Sequence, residues 1–290
     1  MTQARATPQL PSAPAPQPMG LAALRRQIAL LEKLPQAGMG DPARPRALSW
    51  GLGAIDLHLP GGGLALGALH EFAGEGVDLE EASLAAAALA RLIGRRLRHD
   101  LNSSVLWVGR QRDLYARALP QAGLDPDRLL HLEVRRNADA LWALEEALRC
   151  RSLSAVVGEV AALDLTQSRR LQLAAEKSGV PALIIRRGGR AAELRALAHQ
   201  PSAALTRWRI GPAPSVGVAA PPHPILPGPP CWRVELWRCR GGRPATWLIE
   251  EHEDGWREAA FPQPVPAPLA DRLLAPPEHP ADIRQKRASG

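Results

Sequence analysis

The segment at residues 73–81, AGEGVDLEE, lies between a predicted strand and a predicted helix, a setting in which a phosphate-binding loop of the form GxxxxGK[ST] can occur. In such a loop the backbone amides cradle phosphates, the lysine reaches the outer phosphates and the hydroxyl holds magnesium. An ungapped match places Leu79 at the lysine position and Glu80 at the hydroxyl position, and the segment also contains Gly74 and Gly76. The segment therefore lacks the side chains that bind a nucleoside triphosphate and its metal.

Four carboxylates crowd the same segment, at Glu75, Asp78, Glu80 and Glu81. Like charges a few ångströms apart repel by roughly 1 kcal/mol even in water, and by more where water is excluded. The acids are also explained as helix-capping residues, because a helix N-terminus stabilises negative charge. We predict a degenerate loop with no nucleotide or metal cofactor and no ATPase activity.

The sequence from residue 48 to about 210 alternates short apolar runs with amphipathic segments, which is typical of a mostly parallel sheet with helices on both faces. The predicted strands are 68–72, 104–108, 129–133, 154–158 and 181–185. The predicted helices are 80–98, 112–119, 137–149 and 165–178. Asn137 and Asp164 are expected to cap the last two helices, and Gly179 to end the last.

Residues 231–250, CWRVELWRCRGGRPATWLIE, predict a β-hairpin around a turn at 240–243. Alternation gives the first strand an apolar face (Trp232, Val234, Leu236) and a mixed face (Arg233, Glu235, Trp237). Trp232, Trp237 and Trp247 are candidate partner contacts, because tryptophan buries a large area at little entropic cost. The alternative is that the hairpin packs onto the sheet of its own domain.

Composition changes along the chain suggest its domain organisation. The predicted parts are a disordered tail (1–19), an N-terminal helix and linker (20–47), a core lacking an ATPase site (48–210), a Pro-rich linker (211–230), a β-hairpin region (231–260) and a second disordered tail (261–290).

Residues 48–72, LSWGLGAIDLHLPGGGLALGALHEF, resemble the entry to a RecA-type ATPase core. In that family the strand after this segment leads into the phosphate-binding loop. Asp56 and the glycines at 61–63 stand where the family has them. The resemblance implies a RecA-like α/β core, with the predicted hairpin added at its C-terminal end.

Two further positions depart from the recombinase pattern. Gln111 most nearly matches the catalytic glutamate, and an amide cannot take a proton from the attacking water. In VVGEVAAL, Gly158 stands where the metal-linked aspartate would be. Glu159 follows one residue later, so strand alternation aims it at the opposite face. The RecA-type scaffold is therefore expected to lack its chemistry.

A retained RecA-like scaffold without these residues resembles the ImuA family, sometimes grouped with the cell-division inhibitor SulA. The segments that carry the resemblance are PGGGLALGALHEF, VVGEV, TRWRI at 206–210 and WRVELWRCRGG, within residues 48–250. It implies an accessory role in error-prone translesion synthesis after SOS induction. The implied partners are an ImuB-like inactive Y-family polymerase homologue and a DnaE-type error-prone polymerase.

The net charge of +7, from 36 basic and 29 acidic residues, suggests an acidic partner such as DNA, although Arg-rich usage in a GC-rich genome explains it equally. Arg186, Arg187 and Arg190 follow a strand where recombinases place a DNA-contacting loop, and they are candidate DNA contacts. The alternative is a solvated loop. Arg91, Arg95 and Arg98 share a helical face, which we interpret as solvated.

Three cysteines make no disulfide framework, and the sequence contains neither an apolar signal core nor a membrane-spanning run. A cytoplasmic protein with no membrane partner is expected. Three other functions stay open: a regulator of RecA filaments, a cell-division inhibitor, and an ATPase with an unorthodox site.

Overall fold

The computed structural model describes residues 20, 47–75, 78–110, 114–187, 196–215, 228–252 and 255–259. All of them belong to one compact unit, Met1–Ala259. The predicted N-terminal helix at 21–34, both predicted tails and most of the Pro-rich linker lie outside the described residues.

The described strands form one large mixed sheet and one small antiparallel pair. Their bounds are β1 Ala47–Leu48, β2 Leu64–Ala65, β3 Leu69–Gly74, β4 Ser104–Gly109, β5 Leu129–Glu133, β6 Leu153–Val160, β7 Ala182–Arg186, β8 Thr206–Ala213, β9 Cys231–Cys239, β10 Ala245–His252 and β11 Gly255–Glu258. The large sheet has the order β11-β10-β9-β8-β3-β7-β6-β4-β5, and β1 pairs with β2. Neighbours from β8 to β5 are parallel, and β8 to β11 are antiparallel. The hairpin strands therefore extend the core sheet.

Helices cover both faces of this sheet. The described helices are α1 Gly53–Asp56, α2 Asp78–His99, α3 Asn137–Ala147 and α4 Leu165–Ser178. Residues of α2, such as Leu89 and Ile93, pack with Trp107 of the sheet in one core cluster. On the other face, Leu144 of α3 and Leu171 of α4 belong to a second cluster. The predicted mostly parallel sheet with helices on both faces is confirmed.

Local signals explain where the elements begin and end. The Asp164 side chain accepts from the Gln167 amide at 2.7 Å and caps α4, and Gly179 ends this helix with φ of 80°. The glycines at 61–63 all have positive φ, which a residue with a Cβ rarely adopts. The predicted cap at Asp164 and the predicted helix end at Gly179 are confirmed.

Two details of the predicted helices are wrong. Within the described part of 112–119, the chain forms only a 3₁₀ turn at Ala116–Ala118, because Pro120 and Gly123 follow closely and stop a longer helix. Arg136, not Asn137, occupies the N-cap position of α3. Asn137 instead accepts from the Ala161 amide at 2.9 Å and thus ties α3 to the end of β6.

Candidate functional site

The carboxyl ends of the parallel strands meet at one edge of the sheet, which is where open α/β sheets bind ligands. Segment 73–81 lies there, since β3 ends at Gly74 and α2 begins at Asp78. Leu79 and Glu80 fall in the first turn of α2, and Gly76 lies outside the described residues. The strand–loop–helix setting of the segment is present, and its inability to bind nucleotide stays a prediction.

Glu75, the first residue after β3, is paired with arginines from two neighbouring strands. Its Oε1 accepts from Arg233 of β9 and lies 4.0 Å from Arg209 Nη2 of β8. Arg209 Nε also donates to Glu235 Oε2 at 2.9 Å. Gly211 makes room for this arrangement, because a Cβ there would lie 1.9 Å from Glu75 Oε2. These four charged residues, the Glu75 cluster, neutralise a loop carboxylate within the chain.

Glu159, near the end of β6, lies on the sheet face that α2 covers. Its Oε1 accepts from Trp107 Nε1 at 3.0 Å, and its Oε2 lies 3.0 Å from Arg187 Nε. Gly158 faces the other way, since a Cβ there would lie 2.5 Å from Leu144 of α3. The expected alternation is confirmed. At the end of β6 the acid, and not the glycine, shares the face of α2, and its charge is balanced by Arg187.

Glu71 is the centre of a buried polar cluster on the face opposite α2. Its Oε2 accepts from Arg186 Nη1 at 2.9 Å, its Oε1 lies 3.4 Å from Arg207 Nη2, and Ser202 Oγ donates to the same oxygen. Burial lowers the pKa of Arg186, and the Glu71 charge opposes that shift. Buried charges persist only when they are paired and hydrogen-bonded. We call Glu71, Arg186, Arg207 and Ser202 the Glu71 cluster.

The candidate DNA contacts were expected to be exposed to solvent, and this expectation is wrong for Arg186 and Arg187. Arg186 and Arg187 are each only 5% exposed, because Glu71 and Glu159 draw them into the protein from opposite faces of the sheet. A phosphate cannot reach guanidinium groups that are buried in this way. Arg190 lies outside the described residues.

The three candidate tryptophans of the hairpin differ in how far their side chains are buried. Trp232 is 4% exposed and packs 5.8 Å from the Trp256 ring, so its expected role as a surface anchor is wrong. Trp247 is half-buried between Trp208 and His58. Trp237 is half-buried on the mixed face, where the Arg209 guanidinium lies 5.2 Å from its ring. Of the three candidates, Trp237 and Trp247 are therefore the ones that solvent can partly reach.

Sequence reasoning did not identify the partners of Glu71, Glu75 and Glu159. Arg209 and Arg233 are separated from Glu75 by more than a hundred residues, and only strand pairing brings them together. Their alternation with apolar residues in TRWRI and WRVELW was the available signal, because it placed them on one face.

A hydrogen-bonded relay runs through the core beside the Glu71 cluster. Trp208 Nε1 donates to Thr206 Oγ1 at 2.7 Å, and Thr206 lies 2.7 Å from His70 Nδ1. His70 Nε2 lies 2.9 Å from the Ala65 carbonyl oxygen, which can only accept. The arrangement assigns the proton of a neutral His70 to Nε2 and leaves Nδ1 to accept from Thr206.

Acidic pH is expected to destabilise the protein through His70. Burial lowers its pKa from 6.5 to about 4, against a smaller opposing effect of the hydrogen bond to Ala65. Between these values the unfolded chain binds a proton that the folded chain does not, so stability falls as pH drops from about 6.5 towards 4. The loss over this window is about 3 kcal/mol. Urea unfolding at pH 7.5, 5.5 and 4 measures it.

The non-titrating variant His70→Gln serves as the comparison for this prediction. Its free energy of unfolding should fall less steeply over the same window, although it is less stable at neutral pH. Parallel pH profiles for the two proteins would show that His70 does not titrate as described.

Two classes of function receive no support from the described part of the chain. It contains no group of three or more His, Cys, Asp or Glu residues placed to hold a metal ion. None of its helices combines the length and apolar character needed to cross a membrane.

Comparisons with known proteins give two informative matches. The chain is 43% identical over 243 residues to the protein named "Protein ImuA" in two strains of Caulobacter vibrioides, covering 83% of this chain and 96% of each relative. The crystal structure of the RadB recombinase matches with a TM-score of 0.52 and 19% identity, covering 73% of this chain and 99% of that one. This second likeness shows the fold and confirms the RecA-like α/β architecture. No family model matches the chain.

Proposed function

This chain belongs to the ImuA family, and from that premise we propose that it is a non-catalytic RecA-like adaptor in SOS-induced error-prone translesion DNA synthesis. It acts by binding other proteins of the damage-tolerance machinery. The proposed partners are an ImuB-like inactive Y-family polymerase homologue and a DnaE-type error-prone polymerase.

One observation carries the non-catalytic part of the proposal: the acids at the strand ends are already paired with arginines of the chain. Glu75 binds Arg233, and Glu159 lies 3.0 Å from Arg187. Each of these two carboxylates therefore has a cationic partner in the chain that balances its charge. Since segment 73–81 also contains no lysine, it offers a triphosphate no cation of its own.

A protein-binding role is supported by two grooves that flank α4. One, of about 580 Å³, lies between α3 and α4, and the other, of about 570 Å³, lies between α4 and residues 201–203. Leu173, 63% exposed, lines both grooves. The cations that line them are Arg149, Arg151, Arg169, Arg170, Lys177, Arg238 and Arg240, and Glu145 is the one acid among the described lining residues.

An apolar side chain ringed by cations suits a partner segment that combines an apolar anchor with acidic residues. The charge excess in the grooves opposes basic partners and attracts acidic ones over the range of the Debye length. We therefore assign the α4 face to the polymerase-family partner. Trp237, on the mixed face of the hairpin, is a second candidate contact.

Replacing Leu173 with aspartate is expected to weaken binding of the ImuB-like partner at least tenfold. The substitution removes the apolar anchor and adds a charge that repels an acidic segment, and a central anchor of this kind is worth about 2 kcal/mol or more. Binding of the purified partner to immobilised full-length chain measures the change.

Leu101→Asp is the matched control, because Leu101 is 80% exposed and does not line either groove. It should bind the partner like the unmodified chain, and both variants should unfold at the same temperature as that chain. Equal affinity for Leu173→Asp and Leu101→Asp would exclude the α4 face. A lack of any binding to both polymerase-type partners would contradict the adaptor function itself.

A further inference from the structure

A small basic cavity of about 180 Å³ lies beside the C-terminal half of α2. Arg91, Arg95 and Arg98, one helical face of α2, line it together with Trp50 and Trp256. The sequence suggested that this arginine face is solvated. That interpretation is wrong for Arg91, whose side chain is 14% exposed because it pairs with Glu251 of β10.

The charge of the cavity is not balanced within the described part of the chain. Arg91 donates to Glu251, whereas Arg95 and Arg98 have no ion-pair partner among the described residues. No carboxylate is present among the described residues that line the cavity. Two guanidinium charges therefore remain for a ligand.

Three buried donors at this site lack a hydrogen-bond partner: Trp50 Nε1, Trp256 Nε1 and Arg95 Nε. Trp50 is 1% exposed and Trp256 is 8% exposed. Indole and guanidinium nitrogens donate and do not accept, so only an acceptor can satisfy them. Leaving a buried donor unpaired destabilises the folded state, and such groups call for an explanation.

The wall of the cavity is built to hold the guanidinium groups close to the backbone. At Gly51, with φ of 76°, a Cβ would lie 2.2 Å from Arg95 Cζ, so a larger residue would displace this side chain. At Gly123 a Cβ would lie 3.1 Å from Arg98 Nη1. The 49–51 turn is fixed by Asp56, which accepts from the Trp50 amide at 2.8 Å.

The simpler explanation is that arginines near the C-terminal end of α2 stabilise the partial negative charge of the helix dipole there. That effect accounts for cations in the last turn. It does not account for the unpaired indole N–H groups of Trp50 and Trp256, two residues that line the same cavity, since these groups carry no charge.

We propose that this cavity is a binding site for a phosphate group. A phosphate offers several acceptor oxygens and enough negative charge for two guanidinium groups, and arginine binds it with paired N–H donors. The exposed side of Arg98 leaves the site open to solvent, so the group can belong to free phosphate or to a nucleic-acid backbone. The site lies near the opposite end of α2 from segment 73–81, and the proposal does not depend on the adaptor function.

The first test is thermal unfolding of the full chain with increasing inorganic phosphate at constant ionic strength. We expect a saturable rise in Tm, and an affinity at least tenfold weaker for Arg98→Gln. Arg243→Gln, which removes an exposed arginine from the turn between β9 and β10 outside the cavity, should bind phosphate like the unmodified chain. Trp50→Phe keeps all charges and removes one N–H donor, and should weaken phosphate binding several-fold.

A second measurement distinguishes the two sources of phosphate. If a labelled single-stranded oligonucleotide loses affinity in Arg98→Gln and inorganic phosphate competes with it, the source is a nucleic-acid backbone. If only inorganic phosphate responds to Arg98→Gln, the source is free phosphate. The proposal is overturned if phosphate has no effect on Tm, if Arg98→Gln and Arg243→Gln respond alike, or if an acidic peptide binds at this cavity and phosphate does not.

Discussion

Replacing Glu71 with alanine is expected to lower the free energy of unfolding by about 3–5 kcal/mol. The substitution leaves the buried guanidinium groups of Arg186 and Arg207 without their counter-charge, and Ser202 without its acceptor. The desolvation cost of these charges stays when their Coulombic partner is removed. Urea unfolding at pH 7.5, analysed with a common m-value, measures the difference.

An exposed ion pair provides the control for the Glu71 prediction. Glu146 of α3 lies 3.4 Å from Arg149, and this arginine side chain is 66% exposed. Glu146→Ala should change stability little, because solvent and salt screen such pairs. If Glu71→Ala is no less stable than Glu146→Ala, the charges of the Glu71 cluster are compensated by something other than Glu71.

The Glu71 cluster also has a positional consequence at the carboxyl edge of the sheet. Arg186 is the last residue of β7, and Arg207 Nη1 donates to the Gln200 carbonyl at 2.9 Å. The cluster thus anchors the chain on both sides of residues 188–195. The resemblance to recombinases suggested that this region contacts DNA. In this chain, Arg186 and Arg187 at its start are instead paired with Glu71 and Glu159.

The sequence predicted the sheet well because its signal is local. Each parallel strand is a short apolar run whose two faces are both covered, and α4 carries a capping box at Asp164 and a left-handed glycine at Gly179. Neither feature needs information from distant residues. The predicted boundary between the core and the Pro-rich linker, at 210–211, does not coincide with a strand end: β8 continues to Ala213, because it pairs with β9.

Whether each arginine is buried or exposed could not be predicted from the sequence, because burial depends on pairing with distant residues. IIRRGGR has the composition of an exposed basic loop, yet Arg186 meets Glu71 across 115 residues of sequence. The same holds for Trp232, whose burial depends on Trp256 and the third antiparallel strand β11. Composition indicates a side chain's chemistry, and the fold decides whether solvent can reach it.

The position of Gly158 shows the same limit within one strand. The match of VVGEVAAL to the recombinase pattern identified the residue that replaces the aspartate, but it did not show which face that residue occupies. In the structure the position faces Leu144 of α3, and its neighbour Glu159 faces Trp107. Replacing Gly158 with aspartate would therefore not create a metal site on the sheet face that α2 covers.

Gly158→Asp is accordingly expected to destabilise the chain by about 3 kcal/mol or more without conferring ATP binding. Its Cβ would lie 2.5 Å from both Leu144 methyl carbons, and its carboxylate would enter an apolar cluster. Urea unfolding measures the stability. Titration with a fluorescent ATP analogue and magnesium should give no saturable binding up to millimolar nucleotide, for the variant or for the unmodified chain.

A double-mutant cycle separates this steric explanation from a general intolerance of strand β6. Gly158→Ala adds only the Cβ and should cost about 1–3 kcal/mol by overpacking. Combined with Leu144→Ala, which removes the methyl groups it would strike, the same substitution should cost measurably less, because contacting residues are energetically coupled. Strict additivity would mean that Gly158 does not face Leu144. Micromolar ATP binding by the unmodified chain would mean that the acids of segment 73–81 do not exclude a triphosphate, and the non-catalytic proposal would then be wrong.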